Sequence, residues 1–258
     1  MIDVPALASL LQAKFMVPDD AATWVDLILR WIHFVAGITW IGLLYFFNLV
    51  NVPLMKALDG PTKGKVVPQL MPRALWWFRW GAVVTVGAGF LYWVLLQMRE
   101  PQAPDGSPGQ YLWKTLGLWL VTWAVAWAVG YVLVFKVPPV AKNGWVLAVI
   151  LFVVLGGLAH LYVQWATYPG ASNRVIAIGV GGGFGLFMLL NVWGVIWPIQ
   201  KRLIAWTKEN AEKGTAIPPE SAALARRAFL MSRANAWLSI AMLFFMAAAS
   251  HFPIFVGG

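Results

Sequence analysis

The chain has 258 residues, of which 60% are hydrophobic and 11% charged, and its mean hydropathy is +0.72. That balance excludes an ordinary soluble domain and predicts a polytopic membrane protein, an all-α bundle set in the lipid bilayer. A formal net charge of +9 raises the question of nucleic acid, but the Lys and Arg residues lie between apolar runs, where the positive-inside rule accounts for them, and no nucleic-acid partner is expected.

Without Cys, the chain has no disulfides, thiolate metal sites, cysteine-ligated iron–sulfur clusters or CxxCH heme attachment. The N-terminus lacks a basic n-region, and Asp3, Asp19 and Asp20 interrupt it, so it does not read as a signal peptide. Residues 1–23 are expected to be an interfacial segment on the periplasmic side, with a short helix over 4–15. Residues 24–258 are expected to form a single transmembrane domain.

Six apolar segments are long enough to span a bilayer, near 25–51, 74–98, 112–135, 144–167, 174–198 and 232–253. The first, with the sequence WVDLILRWIHFVAGITWIGLLYFFNLVNVP over 24–53, aligns Asp26, Arg30, His33, Gly37, Trp40, Leu44, Asn48 and Asn51 along one helical line. A lipid-facing helix has no reason to collect its polar groups on one face. A helix turning that face into a bundle, with something bulky over Gly37, does. The Pro/Gly-rich link 99–111 reads as a solvent loop, and the third span ends at Val137-Pro138-Pro139. The longest polar link, 199–231, holds a charged helix-like stretch and the breaker Ile217-Pro218-Pro219.

Basic residues set the expected orientation. Lys56, Lys63, Lys65, Arg73, Lys136, Lys142, Lys201, Arg202, Lys208, Lys213, Arg226, Arg227 and Arg233 lie on one side; Lys14, Arg30, Arg99, Lys114 and Arg174 lie on the other. The larger group faces the cytoplasm, so both termini are expected in the periplasm, as in a multi-pass protein of the bacterial inner membrane. Trp24, Trp113 and Trp165 suit the outer aromatic belt; Trp76, Trp77, Trp145 and Trp197 suit the inner one.

This topology brings all three His residues to the outer half. His33 lies roughly 13 Å below Trp24 and His160 roughly 12 Å below Tyr168 at 1.5 Å rise per residue, while His251 is shallower. Intramembrane ionisable groups mark functional sites. Two neutral imidazoles at one depth on different helices suit a six-coordinate heme b iron, with room left by Gly37, Gly156 and Gly157. Arg30 and Arg174 are placed to pair with its propionates. A copper site of His33, His160 and His251 is the alternative. Histidines serving only as interhelical hydrogen-bond partners, with glycines serving only close packing, would produce the same pattern. A second polar set, Asn48, Arg79, Asn191 and Asn235, lies in the inner half. It suits a planar anionic substrate or a quinone head group, or else asparagines bonding across helices while Arg79 reaches lipid phosphate.

The segment WIHFVAGITWIGLLYFFNLVNVP, with GGLAHLYVQ and the terminal SHF, resembles the membrane N-terminal domain of the bacterial membrane-bound urate oxidase family. A more distant likeness in the first span is to heme-binding membrane protoporphyrinogen oxidases and to copper-resistance membrane proteins. The closer resemblance implies His33, His160 and His251 as functional histidines and oxidation of urate or a related compound. Family members acting on urate typically carry a C-terminal cytochrome c domain. This chain stops at Gly258 without CxxCH, so either a separate c-type cytochrome takes the electrons or the domain serves another reaction. A heme-carrying or structural subunit of a larger membrane complex is the non-enzymatic alternative.

Overall fold

The computed structural model describes residues 17–102 and 106–255. The expected helix over 4–15 lies outside the described residues. Six helices are long and apolar enough to cross a bilayer: α1 (Ala21–Ala57), α2 (Gly60–Arg99), α3 (Leu112–Lys136), α4 (Gly144–Ala166), α5 (Asn173–Lys213) and α6 (Ser221–His251). A single turn, Pro138–Lys142, joins α3 to α4. Among the described residues there is no strand, only an isolated bridge between Pro101 and Pro108. The chain is thus an all-helical, multi-pass membrane protein. We call the end of the bundle at which α1 begins the N side.

Local chemistry explains the ends. Asp20 caps α1 by accepting from the Thr23 amide at 2.8 Å, Asp59 caps α2 through Thr62, Asn143 caps α4, and Ser172 caps α5 through Val175. The exposed Asp20 and Asp59 carboxyls titrate below the usual range, because Thr23 and Thr62 donate hydrogen bonds to the ionised forms. Gly214 closes α5 in the left-handed conformation, φ 68°, where a side chain would be strained.

Four helices outrun the spans predicted from hydropathy, α1 by a few residues at each end. α2 begins fourteen residues earlier than residue 74 and continues through Pro68 and Pro72; α5 runs to Lys213 and α6 starts at Ser221. The charged stretch after residue 199 is therefore the continuation of α5, not a separate element of a link. The extensions of α2 and α5 support each other: a Cβ on Gly64 would stand 2.9 Å from the Ala211 Cβ. Prolines signal breaks because each removes one hydrogen bond and crowds a carbonyl, yet this paired packing outweighs them. Elsewhere the helix accommodates proline by widening. α1 is π-helical over Phe46–Asn51 and α5 over Val192–Ile196, each ending two residues before a proline, Pro53 and Pro198. The wider turn relieves the clash of the ring with the preceding carbonyls.

α5 is the central helix, enclosed by α2, α3 and α6, with α1 lying along α2 and reaching α6. Its glycines admit large neighbours. A Cβ on Gly183 would fall inside the Trp123 indole, one on Gly194 would stand 2.7 Å from Trp127, and one on Gly179 would collide with the Tyr162 hydroxyl. The α3 tryptophans Trp123 and Trp127 thus press against the α5 backbone, which hydropathy alone does not reveal. α4 packs mainly on α3 and is peripheral. Trp24, Trp76, Trp77, Trp113, Trp145 and Trp165 are exposed as belt residues should be, but Trp197 is half-buried beneath Arg79.

Candidate functional site

A cavity of about 720 Å³ opens in the N-side half between α1, α2, α5 and α6, with Trp119 of α3 at its wall. That volume lies in the ~300–1,000 Å³ range of ligand and cofactor pockets. Arg30, His33 and Gly37 line it from α1, Thr85, Gly89, Tyr92 and Trp93 from α2, Arg174 and Gly182 from α5, and Met242, Met246 and His251 from α6.

The His33 ring has a fixed seat. Its Nδ1 lies 2.8 Å from the Thr85 carbonyl oxygen. A carbonyl only accepts, so Nδ1 carries the proton and a neutral ring keeps its lone pair on Nε2. Gly89 makes the seat possible: a Cβ there would stand 2.6 Å from Nδ1 and 2.8 Å from Cε1 of His33. An imidazole held by a backbone carbonyl, with its other nitrogen free at a cavity, is the arrangement in which histidine ligates metals.

Two guanidinium groups stand at the N-side end. Arg174 donates from Nη2 to the Tyr92 hydroxyl, and its Cζ lies 5.3 Å from the Tyr92 ring centre; the Arg30 Cζ lies 6.0 Å from the same ring. Among the described residues neither has a carboxylate partner, since Asp26 pairs with Arg99 at 2.6 Å. Arg174 Nε is buried without a hydrogen bond to any described residue. Such a pair of cations beside an apolar cavity is a receptor for anionic groups. The walls are rigid: the Trp93 indole donates to the Val175 carbonyl at 2.9 Å and the Trp119 indole to that of Gly179 at 2.7 Å.

His251 is the last residue of α6. Its neighbourhood is anchored by Asn173, whose amide donates to the carbonyls of Ala248 and Phe252, both at 3.2 Å, and whose oxygen accepts from Ile254 at 2.9 Å and Phe255 at 3.0 Å. Asn173 is an anchor beside the cavity that sequence reasoning missed; its only signal was its place beside Arg174 at the start of a span. Just above, Glu100 accepts from Tyr168 at 2.9 Å and Ser172 at 2.5 Å. Burial, and then the Glu100 carboxylate, push the Tyr168 phenol above its ordinary pKa.

The structure brings together Arg30, His33, Gly37, Arg174 and His251. It does not bring His160 to them, and this corrects the expected His33–His160 pairing. His160, Gly156 and Gly157 lie on the exposed side of α4, with nothing within 4 Å of where a Cβ of either glycine would be; α4 buries Leu147, Leu151, Leu155 and Tyr162 instead. The two histidines match in depth, but depth does not fix the face. Nor are the three histidines gathered as one copper set would require: among the described residues no group of three or more His, Asp or Glu side chains is assembled.

The inner polar set is split into helix contacts, and none of its members lines the cavity. Asn191 donates to Asn235 at 2.7 Å, and Asn235 to the Met188 carbonyl at 3.0 Å. Asn48 donates to the Leu44 carbonyl and the Ser232 hydroxyl, each at 2.9 Å. Arg79 stacks on Trp197, 3.8 Å from the ring centre, with Nε and Nη1 unpartnered among the described residues. The asparagine bonds are those of the plainer reading; Arg79, expected there to reach lipid phosphate, instead stacks on an indole with two of its nitrogens buried.

Six bilayer-length helices, four of which frame an N-side cavity, define a membrane-embedded helical-bundle protein. The profile of the urate oxidase N-terminal family matches residues 60–258, most of the chain, and the chain belongs to that family. The match covers α2–α6 and begins after the first-helix segment that carried the sequence resemblance most specifically. No curated protein and no solved structure gives a match.

Proposed function

We propose that the chain is a membrane-embedded oxidoreductase that holds heme b in the N-side cavity, oxidises urate or a related small compound, and passes electrons to a c-type cytochrome. The observation that carries this reading is the His33 seat, with Nδ1 committed to the Thr85 carbonyl and Nε2 left free at a cavity that His251 also lines. His33 and His251 would supply the nitrogen donors to the iron, Arg30 and Arg174 would neutralise the propionates, and Trp93, Trp119 and the methionines would keep water from the macrocycle. Heme b bound there supplies a one-electron couple. The residues fit the group: among the described residues Arg174 Nε is unpartnered and no carboxylate pairs with either arginine, and glycines lie where a flat ring needs space.

The donor is taken from the family, and the acceptor side from charge. The distribution of Lys and Arg supports an N side in the periplasm, for a protein of the bacterial inner membrane. The arginines and His251 then face the compartment where c-type cytochromes work. The pyridine hemochrome assay and the reduced-minus-oxidised spectrum of the purified protein test the reading. A b-type spectrum near one heme per chain is expected. A protein that carries copper and no heme overturns it.

A further inference from the structure

The outward face of α4 carries an imidazole, His160, for which neither the described residues nor acyl chains supply a hydrogen-bond partner. Opposite its buried leucines run Val149, Val153, Gly156, His160 and Gln164, all exposed. α4 has 23 residues, about 35 Å of helix, and His160 lies six residues, about 9 Å, before its end. With ~30 Å of hydrocarbon centred on that helix, the imidazole sits several ångströms inside the apolar layer. It has no long stem with which to reach water, unlike Lys or Arg. No hydrogen bond to a described residue is made by the His160 ring or the Gln164 amide. An unpartnered imidazole in hydrocarbon is costly, and acyl chains offer neither donor nor acceptor.

We propose that this face is the contact surface of a two-fold dimer, and that its occupant is a second copy of the chain. The chemistry is self-complementary. A neutral imidazole has one N–H and one bare nitrogen, and a primary amide has both donor and acceptor, so each satisfies its own twin. A two-fold axis along the membrane normal sets the two α4 helices parallel, with each residue facing its counterpart at equal depth. His160 then donates to the partner's His160, and the Gln164 amides pair one turn nearer the N side. Gly156 lets the backbones approach: nothing stands within 4 Å of where its Cβ would be. The inference is independent of the heme reading, because this face does not line the cavity.

Because the chain has no Cys, single-cysteine reporters test it cleanly. Val153→Cys and Gly156→Cys are compared in native membranes with Trp237→Cys, on the exposed side of α6. Efficient oxidative cross-linking to a chain of the same mass is expected at the two α4 sites and not at the control. In lipid nanodiscs the particle mass should correspond to two copies. His160→Leu should raise the dimer dissociation constant about tenfold, the size expected for losing an interhelical hydrogen bond in lipid, while His160→Gln, which keeps a donor and an acceptor, retains most of the affinity. Cross-linking no stronger than at Trp237→Cys, cross-linking only to a different protein, or a His160→Leu variant that dimerises like the parent each overturns the proposal.

Discussion

Gly89→Ala tests the His33 seat with the smallest possible change. The added methyl would stand 2.6 Å from Nδ1 and 2.8 Å from Cε1 of His33, where ordinary contacts need about 3.4 Å or more, so the ring must retreat by roughly 1 Å. The atoms struck belong to the end of a side chain, not to backbone, so the fold can yield. The overpacking cost should sit at the low end of about 1–3 kcal/mol, partly offset by about 1 kcal/mol of helix propensity gained over glycine. What cannot survive is the 2.8 Å bond from Nδ1 to the Thr85 carbonyl. Losing the group that orients a metal-ligating histidine costs roughly 10–100-fold in affinity. Heme titration of the apoprotein, followed by Soret absorption, reads that loss, and thermal unfolding in detergent reads the fold. Gly87→Ala is the control, since nothing lies within 4 Å of its Cβ position. The expected result is a folded Gly89→Ala protein with heme affinity lowered tenfold or more beside a normal Gly87→Ala protein. Unchanged affinity and spectrum in Gly89→Ala would refute the seat.

Arg174→Gln and Arg30→Gln should each weaken heme binding several-fold without changing the ligand-field bands, because they remove counter-charges and not ligands; loss of the low-spin bands would contradict that division. Asn191→Ala removes the donor to Asn235 inside the buried core and should lower thermal stability by about 1–2 kcal/mol while leaving the heme spectrum intact, so a selective loss of activity at full stability would return this set to the substrate site. Cysteine placed at Lys114 should label from the periplasmic side of intact cells, and cysteine at Lys208 only after permeabilisation; the reverse pattern would invert the orientation. With heme reduced in vesicles of known sidedness, oxidised cytochrome c should re-oxidise it only from the N side, and more slowly at high salt, whereas re-oxidation by membrane quinone alone would favour a complex subunit.

The sequence made the class and half of the cavity readable. The α1 line of Arg30, His33 and Gly37 predicted an inward polar face, and α1 presents these residues to the cavity. It could do so because His33 and Arg30 stand out against an otherwise apolar helix. α4 gave no such contrast. It is apolar around most of its circumference, with mean hydropathy 2.5 over an 18-residue stretch, so little in its pattern told which side packs on α3, and the structure turns His160 outward. The position of His251 at the cavity was not readable from its depth, because it depends on Asn173 holding the end of α6 against the start of α5. The Gly89 and Thr85 contacts were invisible because they depend on the rotation of α2 relative to α1, which hydropathy does not encode. The long extensions of α2 and α5 were hidden behind prolines and charges that tertiary pairing tolerates.

The spectra of three purified single variants decide the ligand assignment most directly. His33→Ala should lose bound heme or its low-spin bands, His251→Ala should retain heme in a high-spin form, and His160→Ala should be indistinguishable from the parent protein. Loss of the low-spin spectrum in His160→Ala, with His251→Ala unaffected, would contradict the cavity assignment and place the heme between His33 and a helix face that the structure turns outward.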